Sequence, residues 1–217
     1  MRVVVQVSGG IESTTMLAQA IKEFLWENVY AISFDDDSVF YHNRDRTSVK
    51  RVITKYQMQD RHFLCRVPQS DFLEYNEDAE YKDVGFIPGY KMFLNTASMA
   101  YAQRVGASQV WIGNMSDNVY GDESMANVRA MEQVYNDTYA NGGLSLHAVK
   151  LVTPFMGMSK ADVIRKAVDL KVDLADTLSC GDEKLAGGYH CGKCVWCSYR
   201  KAGFKAAGID DPTIYAF

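Results

Sequence analysis

Apolar positions along this chain fall into two alternating textures. Val3-Val4-Val5-Gln6-Val7 is a short β-branched run, the pattern of a strand buried on both faces, and it breaks at Ser8-Gly9-Gly10. From Thr14 to Phe24 the apolar residues recur as Met16, Leu17, Ala20, Ile21 and Phe24, the spacing of a helix with one face turned to a core. Val29 to Phe34 reads as a second buried strand ending in the acidic run Asp35-Asp36-Asp37, and Thr47 to Tyr56 as a second helix. His62 to Val67 fits a third strand, with Cys65 as a small buried hydrophobe in it. Pro68 to Pro88 is acidic and without a clean period, so it reads as a loop or lid. Met92 to Val105 is then a helix, Gln109 to Gly113 a strand, Ala126 to Tyr139 a helix, and His147 to Val152 a strand stopped by Pro154. Ser159-Lys160-Ala161-Asp162 opens a last periodic helix through Ala167, with Ser159 as its cap. This alternation predicts an α/β fold, a doubly wound parallel sheet with helices on both faces.

After Leu178 the periodicity gives way to Gly181, Gly187, Gly188 and cysteines. The expected organisation is therefore an α/β domain over 1–178 and a small metal-tied region over 179–217. Of the five cysteines, Cys180, Cys191, Cys194 and Cys197 cluster in that tail and only Cys65 lies elsewhere, which is no disulfide framework for 217 residues. Cys191-Gly192-Lys193-Cys194-Val195-Trp196-Cys197 holds two Cys-x-x-Cys steps sharing Cys194. With Cys180 upstream, it matches a closed four-thiolate zinc site. An iron–sulfur cluster and a redox pair are the alternatives. His190 could stand in for Cys180, but it adjoins Cys191, and neighbouring residues seldom both reach one ion.

The formal charge of −4 and a pI near 5.6 argue against a chain that holds long nucleic acid by neutralising its phosphates. No run of about 18 uncharged apolar residues and no leader-like start are present, so the expected setting is the cytoplasm, without a membrane span.

Three places carry candidate chemistry. Ser8-Gly9-Gly10-Ile11-Glu12-Ser13-Thr14 joins the first strand to the first helix. Its glycines let several N–H groups converge, and a helix start adds partial positive charge, which together make a cradle for phosphate or pyrophosphate. A strand-to-helix turn is the plainer reading, but the hydroxyls of Ser8, Ser13 and Thr14 argue against it; the Lys of a Walker loop is missing. Asp35 to Asp37 stands at a strand's carboxyl end, where open α/β sheets bind ligands, and fits magnesium, a sugar or a solvated loop. Lys160, at a helix start, reads on its own as a solvated residue beside a cap. His42 and His62 carry no chemistry by themselves.

These residues carry a resemblance that spans essentially the whole chain. The loop from Ser8 to Ser13 resembles the SGGxDS pyrophosphate loop of the PP-loop ATP pyrophosphatase superfamily. The tail from Ser179 to Tyr215, with its cysteines, Arg200 and Asp211-Pro212, is similar to the C-terminal signature of the 7-cyano-7-deazaguanine synthase family. Ser33 to Asp35, Pro88-Gly89, Trp111 to Asn114 and Pro154 to Ile164 follow in the family's order. The resemblance implies an ATP-dependent carbon–nitrogen ligase of queuosine-precursor biosynthesis. Such an enzyme converts 7-carboxy-7-deazaguanine and ammonia, through an adenylate and an amide, to the nitrile. It implies that Ser8, Gly9, Gly10, Ile11, Glu12, Ser13 and Thr14, with Phe34, Asp35 and Gly113, hold ATP and magnesium. Glu12, Ser13 and Lys160 would act on the phosphates, and the four cysteines would hold a structural zinc.

The chain departs from the family pattern at Glu12, one methylene longer than the usual Asp. Tyr90-Lys91 and Tyr120 to Ser124 each lack an Arg where the deazaguanine is expected, and 36–40 hold extra residues. A divergent member, of phage or defence-system type and then acting in the host cytoplasm, would stop at the amide or pass the base to another acceptor. A rival of another class is a non-catalytic nucleotide-binding zinc module. Sheets of this kind often form homodimers, but no stretch of the sequence marks an interface.

Overall fold

The computed structural model describes residues 1–36, 44–67, 89–115, 124–142, 146–181 and 190–216. The first apolar run forms β1 (Arg2–Gln6), in which Val3, Val4 and Val5 are all fully buried because helices cover both faces. In chain order there follow α1 (Ile11–Phe24), β2 (Val29–Asp36), α2 (Arg44–Lys55), β3 (His62–Val67), α3 (Tyr90–Val105) and β4 (Ala107–Trp111). Then come α4 (Met125–Tyr139), β5 (Lys150–Val152), α5 (Lys160–Asp169) and α6 (Val195–Ala207). Among the described residues five strands form the sheet, in the order β3-β2-β1-β4-β5, with every pairing in it parallel. The chain leaves β1 toward β2 on one side and later returns to β4 on the other. Carboxyl ends of β1 and β4 therefore border a crevice of the kind in which open α/β sheets bind ligands.

Alternate valines of β1 serve different cores. Val3, Val5 and Val7 pack with Ile11, Met16 and Leu17 of α1, Val52 and Ile53 of α2, Val163 and Ile164 of α5, and Phe204 of α6. Val4 and Ile32 face the other way, onto Met99 and Ala102 of α3 and Val128 and Tyr135 of α4. No helix among the described residues is long and apolar enough to cross a membrane.

Several elements differ from the pattern-based expectation. α1 starts at Ile11 rather than Thr14, because extended Gly10 ends the turn at once and Ile11 is fully buried in the core. β5 begins at Lys150 rather than His147. The side-chain amide of Asn136 accepts from the Val149 N–H at 2.9 Å and donates to its carbonyl at 2.9 Å, taking the groups a longer ladder would need. β3 is an edge strand, so Phe63 and Leu64 are exposed and Cys65 is only half-buried rather than enclosed. The expected loop or lid at 68–88, Asp37 to Phe40, His42 and 120–123 lie outside the described residues.

Candidate active site and metal centre

The glycine loop lies between the carboxyl end of β1 and the start of α1, at the crevice. Gly9 has φ +80, and a Cβ built on it would stand 2.1 Å from Ser48 Oγ and 2.8 Å from Ser48 Cβ, so only glycine fits between the loop and α2. Leu178 N–H donates to the Gly9 carbonyl at 2.9 Å, the Ser48 hydroxyl to the Ser8 carbonyl at 3.3 Å, and the Ser33 hydroxyl to the Val7 carbonyl at 2.6 Å. Ser8 N–H donates to Ser13 Oγ at 3.1 Å, and the two serine hydroxyls are also 3.1 Å apart. The loop is thus held at both ends and hydrogen-bonded across its width. Gly10, the cap residue of α1, has no side chain to cap the helix, whose first amides have no intrahelical backbone acceptor by geometry. The hydroxyl of Thr14, buried in the first turn of α1, has no hydrogen-bond partner among the described residues. A helix N-terminus and a buried hydroxyl without a partner among the described residues fit a phosphate.

Lys160 reaches this loop from α5. A reciprocal cap fixes the start of that helix: Asp162 N–H donates to Ser159 Oγ at 3.2 Å, and Ser159 N–H to the Asp162 carboxylate at 3.0 Å. Directly after the cap, Lys160 is buried and donates to the Glu12 carboxylate, its side chain 9% exposed against 25% for Glu12. Burial opposes ionisation of Glu12, but the Lys160 ammonium, a bond from the Glu12 amide and the more distant Arg200 outweigh it. They hold the carboxyl below its ordinary range. The solvated reading of Lys160 is thereby corrected. With its carboxylate on an ammonium and on a helix-start amide, Glu12 shows that the position takes an anion.

The remaining candidates divide. Gly113, following β4, is beside the loop: a Cβ there would lie 3.7 Å from Glu12 Cβ. Ile11 is a core side chain, leaving only its backbone to a ligand. Asp35 is buried at the carboxyl end of β2, whereas Phe34 packs on the opposite face with Val4 and Ile32. Tyr90 and Lys91 open α3 after Gly89, and Ser124 caps α4. His62, half-buried at the start of β3, has its pKa lowered by burial and lies at the sheet edge.

In the tail, the four sulfurs of Cys180, Cys191, Cys194 and Cys197 lie within 4.8 Å of one another. Sγ atoms of Cys191 and Cys197 are 3.9 Å apart, and those of Cys180 and Cys194 4.0 Å. Thiolates at about 2.3 Å from one tetrahedral ion would be separated by about 3.8 Å, so the sulfurs fit a single metal ion. A multi-iron cluster would spread the four sulfurs wider, since its thiolates are divided among two or four irons. Backbone amides of Cys191, Lys193, Cys194, Cys197 and Gly181 donate to these sulfurs at 3.2–3.4 Å. For Cys194, burial raises the thiol, but the Gly181 and Cys197 amides prevail and bring it down to about 7. His190 is not a ligand: its Nε2 accepts the Ser179 amide at 3.0 Å.

Sequence reasoning gave no role to the residues that join the metal centre to the loop. Arg200 is fully buried; its guanidinium donates to the Leu174 carbonyl at 2.8 Å, Thr177 Oγ1 at 2.9 Å, Ser179 Oγ at 3.2 Å and Asp211 at 3.3 Å. At Gly203 a Cβ would come 2.5 Å from Lys160 Cγ and 3.1 Å from Ile164 Cδ1, so α6 lies directly on α5 there. Besides the place of Arg200 in the tail signature, the signal was spacing: Cys197, Arg200, Gly203 and Phe204 recur at helical intervals and form the buried face of α6.

A sequence model of the family described as Queuosine biosynthesis protein QueC matches residues 2–208. A 7-cyano-7-deazaguanine synthase from Azoarcus sp. (strain BH72) is 32% identical, over 99% of this chain and 96% of its own. Another with that name, from Cellvibrio japonicus (strain Ueda107), is 31% identical, over 100% and 98%. Among solved structures, NMN synthetase from Francisella tularensis superposes with a TM-score of 0.53 at 17% identity, over 96% of this chain and 78% of that one, a likeness of fold.

Proposed function

The chain belongs to the queuosine biosynthesis protein QueC family, and from that premise we propose that it is the ATP-dependent ligase that turns 7-carboxy-7-deazaguanine and ammonia into 7-cyano-7-deazaguanine. The observation that carries this reading is the buried Lys160 ammonium brought onto the loop at Glu12, in the same helix start whose Thr14 hydroxyl has no partner among the described residues. In this reading 1–178 hold the nucleotide and substrate, and 179–217 the metal.

The substrate carboxylate attacks the α-phosphorus of ATP, the bond to the leaving pyrophosphate breaks, and an acyl adenylate forms. Ammonia adds to the acyl carbon, loses a proton and expels AMP to leave an amide. The amide oxygen then attacks the α-phosphorus of a second ATP, and the bond to its pyrophosphate breaks as before. Departure of AMP with that oxygen, and of the nitrogen-bound protons to water, leaves the nitrile. Each activation needs positioning and charge stabilisation rather than a protein nucleophile. The amides at Gly9 to Ser13 and the hydroxyls of Ser8, Ser13 and Thr14 hold the phosphates. Lys160 leaves Glu12 to stabilise the charge that develops on them. Magnesium would accompany and neutralise these phosphates, with Glu12 of the loop and Asp35 at the carboxyl end of β2 as hard-oxygen donors. Zinc fits the sulfur set and would close the tail structurally, as a saturated four-thiolate site offers no open position.

The test is exchange of labelled pyrophosphate into ATP, dependent on the deazapurine acid. Lys160→Ala should lower the exchange rate by about 10²–10³. A folded variant exchanging at the unaltered rate would remove Lys160 from the reaction. No acid-dependent exchange by the unsubstituted protein would favour a nucleotide-binding module.

A further inference from the structure

Helix α6 starts directly after Cys194, whose sulfur caps it by accepting the Cys197 amide at 3.4 Å. Its register is thus set at the metal centre. Along its buried face the next residues are Arg200 and then Gly203, which places Gly203 about 9 Å further along the axis than Cys197 at 1.5 Å per residue. Both meet parts of the phosphate site. Arg200 gathers the Leu174 carbonyl and the hydroxyls of Thr177 and Ser179, which flank Leu178, and the Leu178 amide grips the Gly9 carbonyl. Gly203 provides the gap that admits the Lys160 stem, while the Tyr199 ring, one turn back, lies 5.4 Å from Lys160 Nζ. The ammonium is thereby confined between the ring of α6 and the Glu12 carboxylate.

We propose that Gly203 and Arg200 are positioning residues for nucleotide binding: Gly203 seats Lys160 against the loop, Arg200 holds the segment that fixes Gly9, and the metal centre sets both by anchoring α6. This rests on the reading of the loop and Lys160 as the ATP phosphate site. It gives the sulfur centre a task beyond closing the tail, since displacement of α6 moves the lysine and the loop together.

The experiment is a double-mutant cycle on the metal-loaded protein, read by ATP affinity in equilibrium dialysis, by the two Michaelis constants and by metal content in native mass spectrometry. Gly203→Ala puts a methyl where the Lys160 stem runs while leaving every sulfur ligand in place. It should retain metal and raise the ATP dissociation constant and KM by about tenfold or more, with KM for the deazapurine acid within about twofold. Added to Lys160→Ala, the same substitution should cost nothing further, because its effect passes through that lysine. Arg200→Lys keeps the charge but not the planar fork and should also weaken ATP binding with metal retained; if it does not fold, the Gly203 cycle decides alone. An unsubstituted protein that does not bind ATP overturns the reading of the site itself. Tight ATP binding by the unsubstituted protein with equal binding by Gly203→Ala, or additive losses in the cycle, overturns the positioning role.

Discussion

Replacing Lys160 by Met keeps the unbranched stem that contacts α6, one atom shorter, but leaves the Glu12 carboxylate without its ammonium. Breaking a fully buried ion pair costs about 3–5 kcal/mol. Glu12 is a quarter exposed and water can reach it, so about 2 kcal/mol is expected at pH 7. For a domain of this size that is a fall of about 4–8 °C in Tm. The pH dependence identifies the cause. In the native protein the Glu12 carboxyl is held below 4.5, so its contribution is present above that value and is lost as pH falls through the lowered pKa. In Lys160→Met, burial is the principal influence left and raises the carboxyl, so the folded variant is penalised as pH rises past it. The Tm gap between the two proteins should therefore be widest near pH 7 and narrow toward pH 4. Acid release of metal affects both proteins and cancels in the gap. Adding Glu12→Gln should recover most of the loss. Melting curves from pH 4 to 8 provide the assay. A gap that is the same at every pH, or absent at pH 7, would mean that Lys160 and Glu12 are not an electrostatic pair in the folded protein.

Other outcomes follow from the geometry. Cys180→Ser should leave the protein without stoichiometric metal by native mass spectrometry and less stable to heat; retained metal at full stability would refute the four-sulfur centre. Gly9→Ala should destabilise by about 1–3 kcal/mol from its positive φ alone, and Ser48→Ala should not rescue it, because the new methyl also meets Ser48 Cβ at 2.8 Å; urea unfolding measures both. Phe204→Ala, deep in the core that α6 shares with α1 and α5, should cost about 3–5 kcal/mol by the same measurement. A loss under about 1 kcal/mol would show that the tail helix is not part of that core.

Local patterns carried the alternation of strands and helices because buried parallel strands and one-sided helices leave different periods in the chain. The sulfur centre was legible for a similar reason: its ligands are of one rare residue type at close spacing. Strand order was not, since it depends on pairings between segments as distant as β1 and β4. The ends of β5 and α1 were misread where a side-chain amide, Asn136, replaced ladder bonds and where extended Gly10 allowed the helix to begin early. At the site, the glycine loop announced itself through composition, whereas Lys160 acquired a partner only through a contact spanning most of the chain. Arg200 stood out only as part of the tail signature, without a role, and Gly203 was silent, because a buried guanidinium and a helix-to-helix gap are defined by what they touch.

The most direct test of the account is mass spectrometry of the small molecules formed when the protein is incubated with 7-carboxy-7-deazaguanine, ATP, magnesium and ammonium. The account predicts the nitrile, with AMP released at each of the successive activations. Amide accumulating without nitrile would contradict the second activation, and unchanged acid with intact ATP would contradict the ligase assignment itself.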